Sequence, residues 1–347
     1  MKSAHPEATQ PLRVNLVSES VFTVQGHGVH TAFAEMLAAM QHNPDIDVAV
    51  NKFRRADITH IHTVGLYSLL HLLFGSGKKV VSVHVIPDSF IGSLVGAKYW
   101  RGAARLYLRF FYGRAGLLLA VSPQVLTDLR GELGLKNQMV VHYNGIEPEK
   151  FVPPAGAKAK MRIKLSLPAD KFTVVSVGQV QPRKRFDIFV DLARKFPDRQ
   201  FVWVGGIPFK HLGADYDVMT DLMENAPSNV IVTGVITAPE VIDYYWASDA
   251  FVLFSNQENH PMAVLEAAAS ELPIILRDIP EYVPSFGGDA LFGTDETFGT
   301  LIKSLDVPKI RANALEGSKR IAAHYNAKNL LLILIERYKS LIEGAKQ

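Results

Sequence analysis

Short runs of apolar, β-branched residues recur along the chain, separated by longer stretches of helical periodicity. In the first half these are "RVNLVS" (13–18), "ITHIHT" (58–63), "KKVVSVH" (78–84), "GLLLAVS" (116–122) and "QMVVHY" (138–143). Such alternation predicts a parallel sheet covered by helices. A segment rich in proline, alanine and lysine, "FVPPAGAKAK" (151–160), interrupts the pattern. It restarts with "FTVVSVG" (172–178), "QFVWVGG" (200–206), "NVIVTG" (229–234), "DAFVLFS" (249–255) and "LPIIL" (272–276). The expectation is an α/β protein of two doubly wound, Rossmann-like domains, residues 1–151 and 152–328, with an apolar last helix at 329–347 packing across both. Ligands of such sheets bind beyond the carboxyl ends of the strands, so the expected site is the cleft between the domains.

Composition narrows the class. At 347 residues, 48% hydrophobic and 20% charged, the chain is globular and long enough for two domains. It has no cysteine, which excludes disulfides and thiolate metal sites and fits a reducing cytoplasm. A net charge of +3 is too small to suggest nucleic acid. The opening "MKSAHPEATQPL" lacks the apolar core of a signal peptide. No run reaches the ~18 apolar residues of a membrane span, so a soluble or surface-attached protein is expected.

The stretch "SNQENHPMAVLEAAASELP" (255–273) carries the most chemistry. It reads as the end of a strand, a short loop, then a helix with Pro261 in its first turn, where a missing N–H costs nothing. Glu258 falls in the loop and Glu266 inside the helix, about 9 Å apart along the axis at ~1.5 Å per residue. Free N–H groups of the helix start lie between them and suit a phosphate. In "SVGQVQPRKRFDIFVDLA" (176–193), Arg183, Lys184 and Arg185 follow a strand directly, as either a solvated charge run or cations for a diphosphate. Gly26 and Gly28 in "GHGVHT" form either a plain tight turn or a close backbone approach to a ligand, ahead of a helix starting near Val29. His84 ends a strand, with Asp88 four residues on, either closing a hydrogen-bond network or lining the cleft. "DID" (45–47) and "DYD" (215–217) imitate a metal-binding D-x-D, but both sit among helical or loop residues, and no metal site is expected.

"KYWRGAARLYLRFFYGR" (98–114) is basic and aromatic with no acid. On a helix Lys98, Arg101, Arg105 and Arg109 share an arc of roughly 80°. That is either an ordinary surface helix or an interfacial one meeting anionic lipid, with Trp100 and Phe110 as inserting aromatics.

Taken together, "GHGVHT" (26–31), "HYNGIEPEKF" (142–151), "VGQVQPRKRFD" (177–187), "VGG" (204–206), "TG" (233–234) and the E-x7-E string from Glu258 to Glu266 resemble the retaining glycosyltransferases of the GT-B fold. That family includes bacterial mannosyl- and glucosyltransferases and sucrose synthases. The chain is most similar to the subgroup that adds a hexose to diacylglycerol or glucosyl-diacylglycerol. The resemblance implies retaining transfer of glucose or galactose from UDP-glucose or UDP-galactose to a lipid acceptor, without cofactor or metal. It implies a place on the cytoplasmic face of the membrane, bound peripherally to an anionic surface. Glu266 would hold the ribose and Glu258 the donor sugar. Asn259, His260, Met262 and Ala263 would lie at the diphosphate, with Gly234 beside the donor. Arg183 and Lys184 would face the same phosphates, with Gly26 and Gly28 admitting them from the other domain. His84, with Asp88, would stand on the acceptor side near the reactive carbon. Two departures stand out: Gln179 replaces an arginine common in the family, and "NHP" replaces Gly-Phe-Gly. A transferase to a soluble acceptor and a non-catalytic nucleotide-sugar-binding protein are the alternative readings.

Overall fold

Parallel strands fill two sheets in the computed structural model, which describes residues 10–22, 28–90, 97–207 and 215–344. The first sheet contains β1 (Leu12–Val17), β2 (Ile46–Val50), β3 (Ile58–Ile61), β4 (Lys78–Val83), β5 (Leu117–Ala120) and β6 (Gln138–Val141), in the order β2-β1-β3-β4-β5-β6. Its helices are α1 (Gly28–Gln41), α2 (Leu66–Phe74), α3 (Ala97–Tyr112) and α4 (Pro123–Gly131). After α5 (Ala157–Lys164), the second sheet uses β7 (Thr173–Val177), β8 (Gln200–Val204), β9 (Val230–Val232), β10 (Ala250–Leu253), β11 (Ile274–Arg277) and β12 (Leu291–Gly293), in the order β12-β11-β10-β7-β8-β9. Between and after these strands run α6 (Phe186–Lys195), α7 (Tyr216–Glu224), α8 (Ala238–Ala247), α9 (Met262–Ala269), α10 (Val283–Phe286), α11 (Phe298–Ser304), α12 (Pro308–His324) and α13 (Ala327–Glu343). The arrangement is the two-domain α/β architecture of the GT-B fold.

Central strands such as β3, β5 and β10 are buried at every position, as expected where helices cover both faces of a parallel sheet. The two strands that the hydrophobic pattern does not announce, β2 and β12, are edges. "IDVAV" is buried at Ile46 and half open beyond it, and it takes in Asp47 of the "DID" string, so that string opens a strand rather than lying in a helix or loop. In each sheet the chain reverses its direction of travel at one point, between β1 and β3 and between β7 and β10. The loops after these strands are therefore the natural ligand edge.

The last helix departs from expectation. It starts at Ala327, and its buried residues Leu331, Leu334, Ile335 and Tyr338 join Val14, Leu16, Phe33 and Leu119 in the core of the first sheet rather than packing across both. The crossing itself is made just before it. Ile146 accepts from the Ala327 N–H at 2.7 Å and donates to the Tyr325 carbonyl at 2.9 Å. Gly145 permits this approach, since a Cβ there would lie 2.7 Å from Ala327 Cα.

Buried imidazoles mark the ligand edge of the first sheet. His60 is hydrogen-bonded to Ser82 Oγ at 2.8 Å and to the Tyr338 hydroxyl. Burial pushes His60 and His62 well below the ordinary histidine range, and pushes His142 and His260 to about 3. Unfolded, these groups titrate near 6.5. Above that pH neither state is charged. Below it the unfolded chain takes up protons that the folded chain refuses, and each group removes up to ~1.4 kcal/mol per pH unit. Glu266, whose pKa is raised, acts in the opposite sense between about 7 and its unfolded value. Four bases against one acid leave roughly 4 kcal/mol per unit, a large part of an ordinary stability of ~5–15 kcal/mol. The urea midpoint is therefore expected to hold between pH 8 and 7 and to fall steeply between 6 and 5. An equal midpoint at pH 7 and pH 5 would overturn this account.

Candidate active site

The loops after β7 and β10 meet over one carboxylate. Arg183 accepts the Asn256 N–H on its carbonyl at 2.9 Å and donates Nη1 to the Gln257 carbonyl at 2.6 Å. This brings Arg183 Nη1 to 3.3 Å from Glu258 Oε1, and Lys184 Nζ donates to the same oxygen. Glu258 is 9% exposed. Burial alone would raise its pKa, but Lys184 and Arg183 more than offset this and hold it below the usual carboxylate range. Lys184 is lowered by burial and by Arg183, against the pull of Glu258. The third cation does not join them. Arg185, in a left-handed conformation, turns to Asp187 and Asp295 at 2.9 and 3.0 Å. Half-buried Gln179 accepts from Gln181 Nε2 at 2.8 Å, a neighbour within the same "VGQVQPRKRFD" string.

Pro261 is the cap of α9 rather than its first helical residue, so Met262 and Ala263 supply the first helical N–H groups, which lack carbonyl partners within the helix. The side chain of Met262 is buried in the core, leaving its backbone as the available contact. The His260 ring lies among Tyr143, Phe286 and Tyr325, at centroid distances of 5.2, 5.6 and 4.7 Å, so any approach of His260 to the diphosphate falls to its backbone N–H rather than to its imidazole. Glu266, one turn into α9, accepts from the Tyr245 hydroxyl at 2.8 Å. Burial pushes its carboxyl up to about 7, opposed by Tyr245 and reinforced by Glu35 of α1. Neither Tyr245 nor Glu35 was flagged by the sequence, although an acid within the apolar string "TAFAEMLAAM" is itself a signal.

The first sheet faces this arrangement. Asn259 spans the gap, donating Nδ2 to the His84 carbonyl at 2.7 Å and to Ser89 Oγ at 3.2 Å, so its side chain joins the two halves rather than waiting for a ligand. His84 Nε2 lies 3.2 Å from His62 Nδ1, a pairing hidden in the "HIH" of β3. Asp88 is bound to Arg101 at 2.7 Å, and Arg101 reaches Glu132 at 2.6 Å. Arg101 therefore leaves the expected basic arc, and Asp88 serves it. Gly28 opens α1 with free space beside it, Gly26 lies outside the described residues, and so does the side chain of Lys98. Gly234, at a φ of 71°, bridges Gly205 at the ends of β8 and β9. Among the described residues no group of three or more His, Asp or Glu side chains is placed to hold a metal.

Arg105 and Arg109 of α3 are exposed, and beside them runs an outer apolar stripe: Tyr99 is 95% exposed, Leu106 70% and Phe110 43%. Trp100 instead turns inward, towards Val64 and Gly65.

Two doubly wound sheets facing each other across a helix start with a carboxylate on either side define a two-domain glycosyltransferase. Residues 157–289 match the family described as "Glycosyl transferases group 1", and residues 13–150 match "Glycosyltransferase Family 4". The chain is 32% identical over 336 residues to alpha-galactosylglucosyldiacylglycerol synthase of Streptococcus pneumoniae, covering 94% of this chain and 89% of that protein. It is 26% identical to the processive diacylglycerol alpha-glucosyltransferase of Acholeplasma laidlawii, over 62% of this chain and 67% of the relative. Among solved structures it resembles sucrose-phosphate synthase of Thermosynechococcus elongatus (TM-score 0.77, 18% identity, 96% of this chain and 100% of that one). It also resembles Anabaena HepE in complex with UDP-glucose (TM-score 0.76, 14% identity, 95% and 100%). The chain belongs to the group 1 glycosyltransferases, and it is an enzyme.

Removing one partner of a buried ion group leaves an uncompensated charge, which costs ~3–5 kcal/mol. Glu258→Gln should lower stability by about that amount in urea unfolding. Millimolar pyrophosphate should then stabilise the variant more than the wild type, because the anion replaces the missing charge. No difference between the two proteins in pyrophosphate would show that Lys184 and Arg183 do not face an anion site.

Proposed function

We propose that the enzyme transfers a hexose, glucose or galactose, from a UDP-sugar to a hydroxyl of a membrane glycerolipid such as diacylglycerol or glucosyl-diacylglycerol. Configuration is retained and no metal is used. The observation that carries this reading is the pairing of Lys184 and Arg183 on Glu258 beside the start of α9, with Glu266 on the far side of that start. Glu266 binds the ribose hydroxyls and Glu258 those of the sugar, and the amides of Met262 and Ala263 take the diphosphate. Departure of the diphosphate concentrates negative charge on its oxygens. Lys184 and Arg183, held in place beforehand, stabilise that charge without reorganising. His84 stands across the gap, on the acceptor side.

The names of the relatives support a glycerolipid acceptor. No helix among the described residues is long and apolar enough to cross a membrane, and α3 supplies a peripheral contact. Its two exposed arginines contribute about 1 kcal/mol each at an anionic surface. Inserting Leu106 and Phe110, 70% and 43% exposed, contributes ~2–3 kcal/mol together. The apolar stripe therefore weighs at least as much as the cations, and much of the attachment survives salt.

Hydroxyls donating to Glu266 favour its ionised form, so donor binding lowers a pKa that begins at about 7 and releases a proton. Affinity for UDP-glucose, measured by calorimetry, should rise with pH from about 5.5 and level off above about 7.5, and Glu266→Gln should flatten the profile. A flat wild-type profile would remove Glu266 from the donor site.

Mass spectrometry of products from UDP-hexoses and glucosyl-diacylglycerol in phosphatidylglycerol vesicles tests the reaction itself. A lipid product is expected, with turnover cut at least tenfold in Lys184→Ala, since charge-assisted bonds are worth ~1.5–3 kcal/mol. The pair Leu106→Ser/Phe110→Ser should release the protein from vesicles more fully than Arg105→Gln/Arg109→Gln. Activity restricted to soluble acceptors, or donor binding without transfer, would defeat the proposal.

A further inference from the structure

Between α3 and the entry to α2 lies an apolar pocket of about 400 Å³. Val64 and Gly65 form one wall, and Trp100, Ala104, Tyr107 and Leu108 of α3 form the other. We propose that this pocket takes one acyl chain of the lipid acceptor, a step that rests on the glycerolipid reading above.

The walls are built rather than slack. Tyr107 donates its hydroxyl to the Val64 carbonyl at 2.5 Å, tying α3 to the loop after β3. Glu19 Oε1 accepts the Ser68 N–H at 3.0 Å and fixes the first turn of α2. Gly65 is what lets Glu19 in, since a Cβ at that position would lie 1.8 Å from its carboxylate. The volume lies within the ~300–1,000 Å³ typical of pockets that hold small ligands, and alanines in place of larger residues on α3 keep the space open.

Position identifies the occupant. Val64 is two residues beyond His62, at most ~7 Å of chain, and His62 touches His84 at the acceptor edge. On the other side, α3 follows the Pro87–Phe90 turn that carries Ser89, one anchor of Asn259. The pocket therefore adjoins the cleft where the acceptor hydroxyl must arrive. It also shares a helix with the outer stripe of Tyr99, Leu106 and Phe110, the surface that faces the bilayer. A lipid whose head group rises from the membrane into the cleft drags methylenes out of hydrocarbon, which is unfavourable in proportion to the length exposed. An apolar channel between cleft and bilayer removes that penalty for one chain, while the other stays in the membrane.

Ala104→Phe fills the pocket without altering the outer stripe or the donor site. The assay compares glucosylglycerol with glucosyl-diacylglycerols of increasing acyl length in the same vesicles. The wild type should prefer lipid at least tenfold in kcat/KM, with the preference growing with chain length. Ala104→Phe should reduce the preference to within about threefold, with vesicle co-sedimentation and transfer to glucosylglycerol unchanged. As a measurement that needs no variant, a glucosyl-diacylglycerol with a diazirine in one acyl chain should label peptides containing Val64 or residues 100–108. A wild-type lipid preference left intact in a folded Ala104→Phe, or labelling confined elsewhere, overturns the acyl pocket and leaves the proposed reaction standing. A wild type that uses both acceptors equally overturns the acyl pocket alone, and one that uses only glucosylglycerol overturns both. A change of oligomeric state in Ala104→Phe by light scattering would assign the pocket to a second copy of the chain instead.

Discussion

A carboxylate as deep as that of Glu258 stays charged only if cations are buried with it, and much of the site's form follows from that requirement. Lys184 and Arg183 come from the loop after β7, Glu258 from the loop after β10, and these strands are neighbours where the second sheet reverses its direction of travel. The backbone is fastened to suit, with the Arg183 main chain and guanidinium both bonded to the Asn256–Gln257 turn. One charge balance thus fixes two loops against each other and aims the start of α9 into the gap. Glu266, with a tyrosine in place of a cation, is poised near neutrality. Two carboxylates of one short motif carry opposite pKa shifts because their neighbours differ, not because their burial does.

The two halves meet through specific bonds laid over apolar packing that Ala32, Tyr143 and Ile146 contribute from the first half. Asn259 reaches the His84 carbonyl and Ser89, Asn144 donates to the His260 carbonyl at 3.0 Å, and Glu35 of α1 adds its charge to Glu266. The start of α9 is thus tied to the loops after β4 and β6 and lies beside α1. The His260 ring, lodged among Tyr143, Phe286 and Tyr325, serves as packing beneath this junction.

Much of this was legible in the sequence where local chemistry decides. Central strands such as β5 and β10 appear as unbroken apolar runs because both faces are covered, whereas the edge strands β2 and β12 are half open or very short and show no such run. The spacing of Glu258 and Glu266 and the position of Lys184 could be read because each lies beside the turn that displays it. Partner choice could not. Three adjacent cations divide, two to Glu258 and one to Asp187 and Asp295, and Arg101 leaves its helical arc for Asp88 and Glu132. Tyr245 and His62 reach the site from elements distant in the chain, where no short motif points to them, and Glu35 shows only as an acid in an apolar helix.

Because α13 completes the core of the first sheet, the half of the protein synthesised first cannot finish folding first. Val14, Leu16 and Leu119 await Leu331, Leu334 and Tyr338, contacts that span nearly the whole chain and are slow to form. The second sheet encloses a cluster drawn from its own residues, from Val174 to Ala314, and can consolidate earlier. Emergence from the ribosome and completion of the domains thus run in opposite order, and the first sheet leaves the tunnel with an apolar slot still open to chaperones or to aggregation. A protease cut near the carboxyl end of the chain would strike the half that holds its amino end.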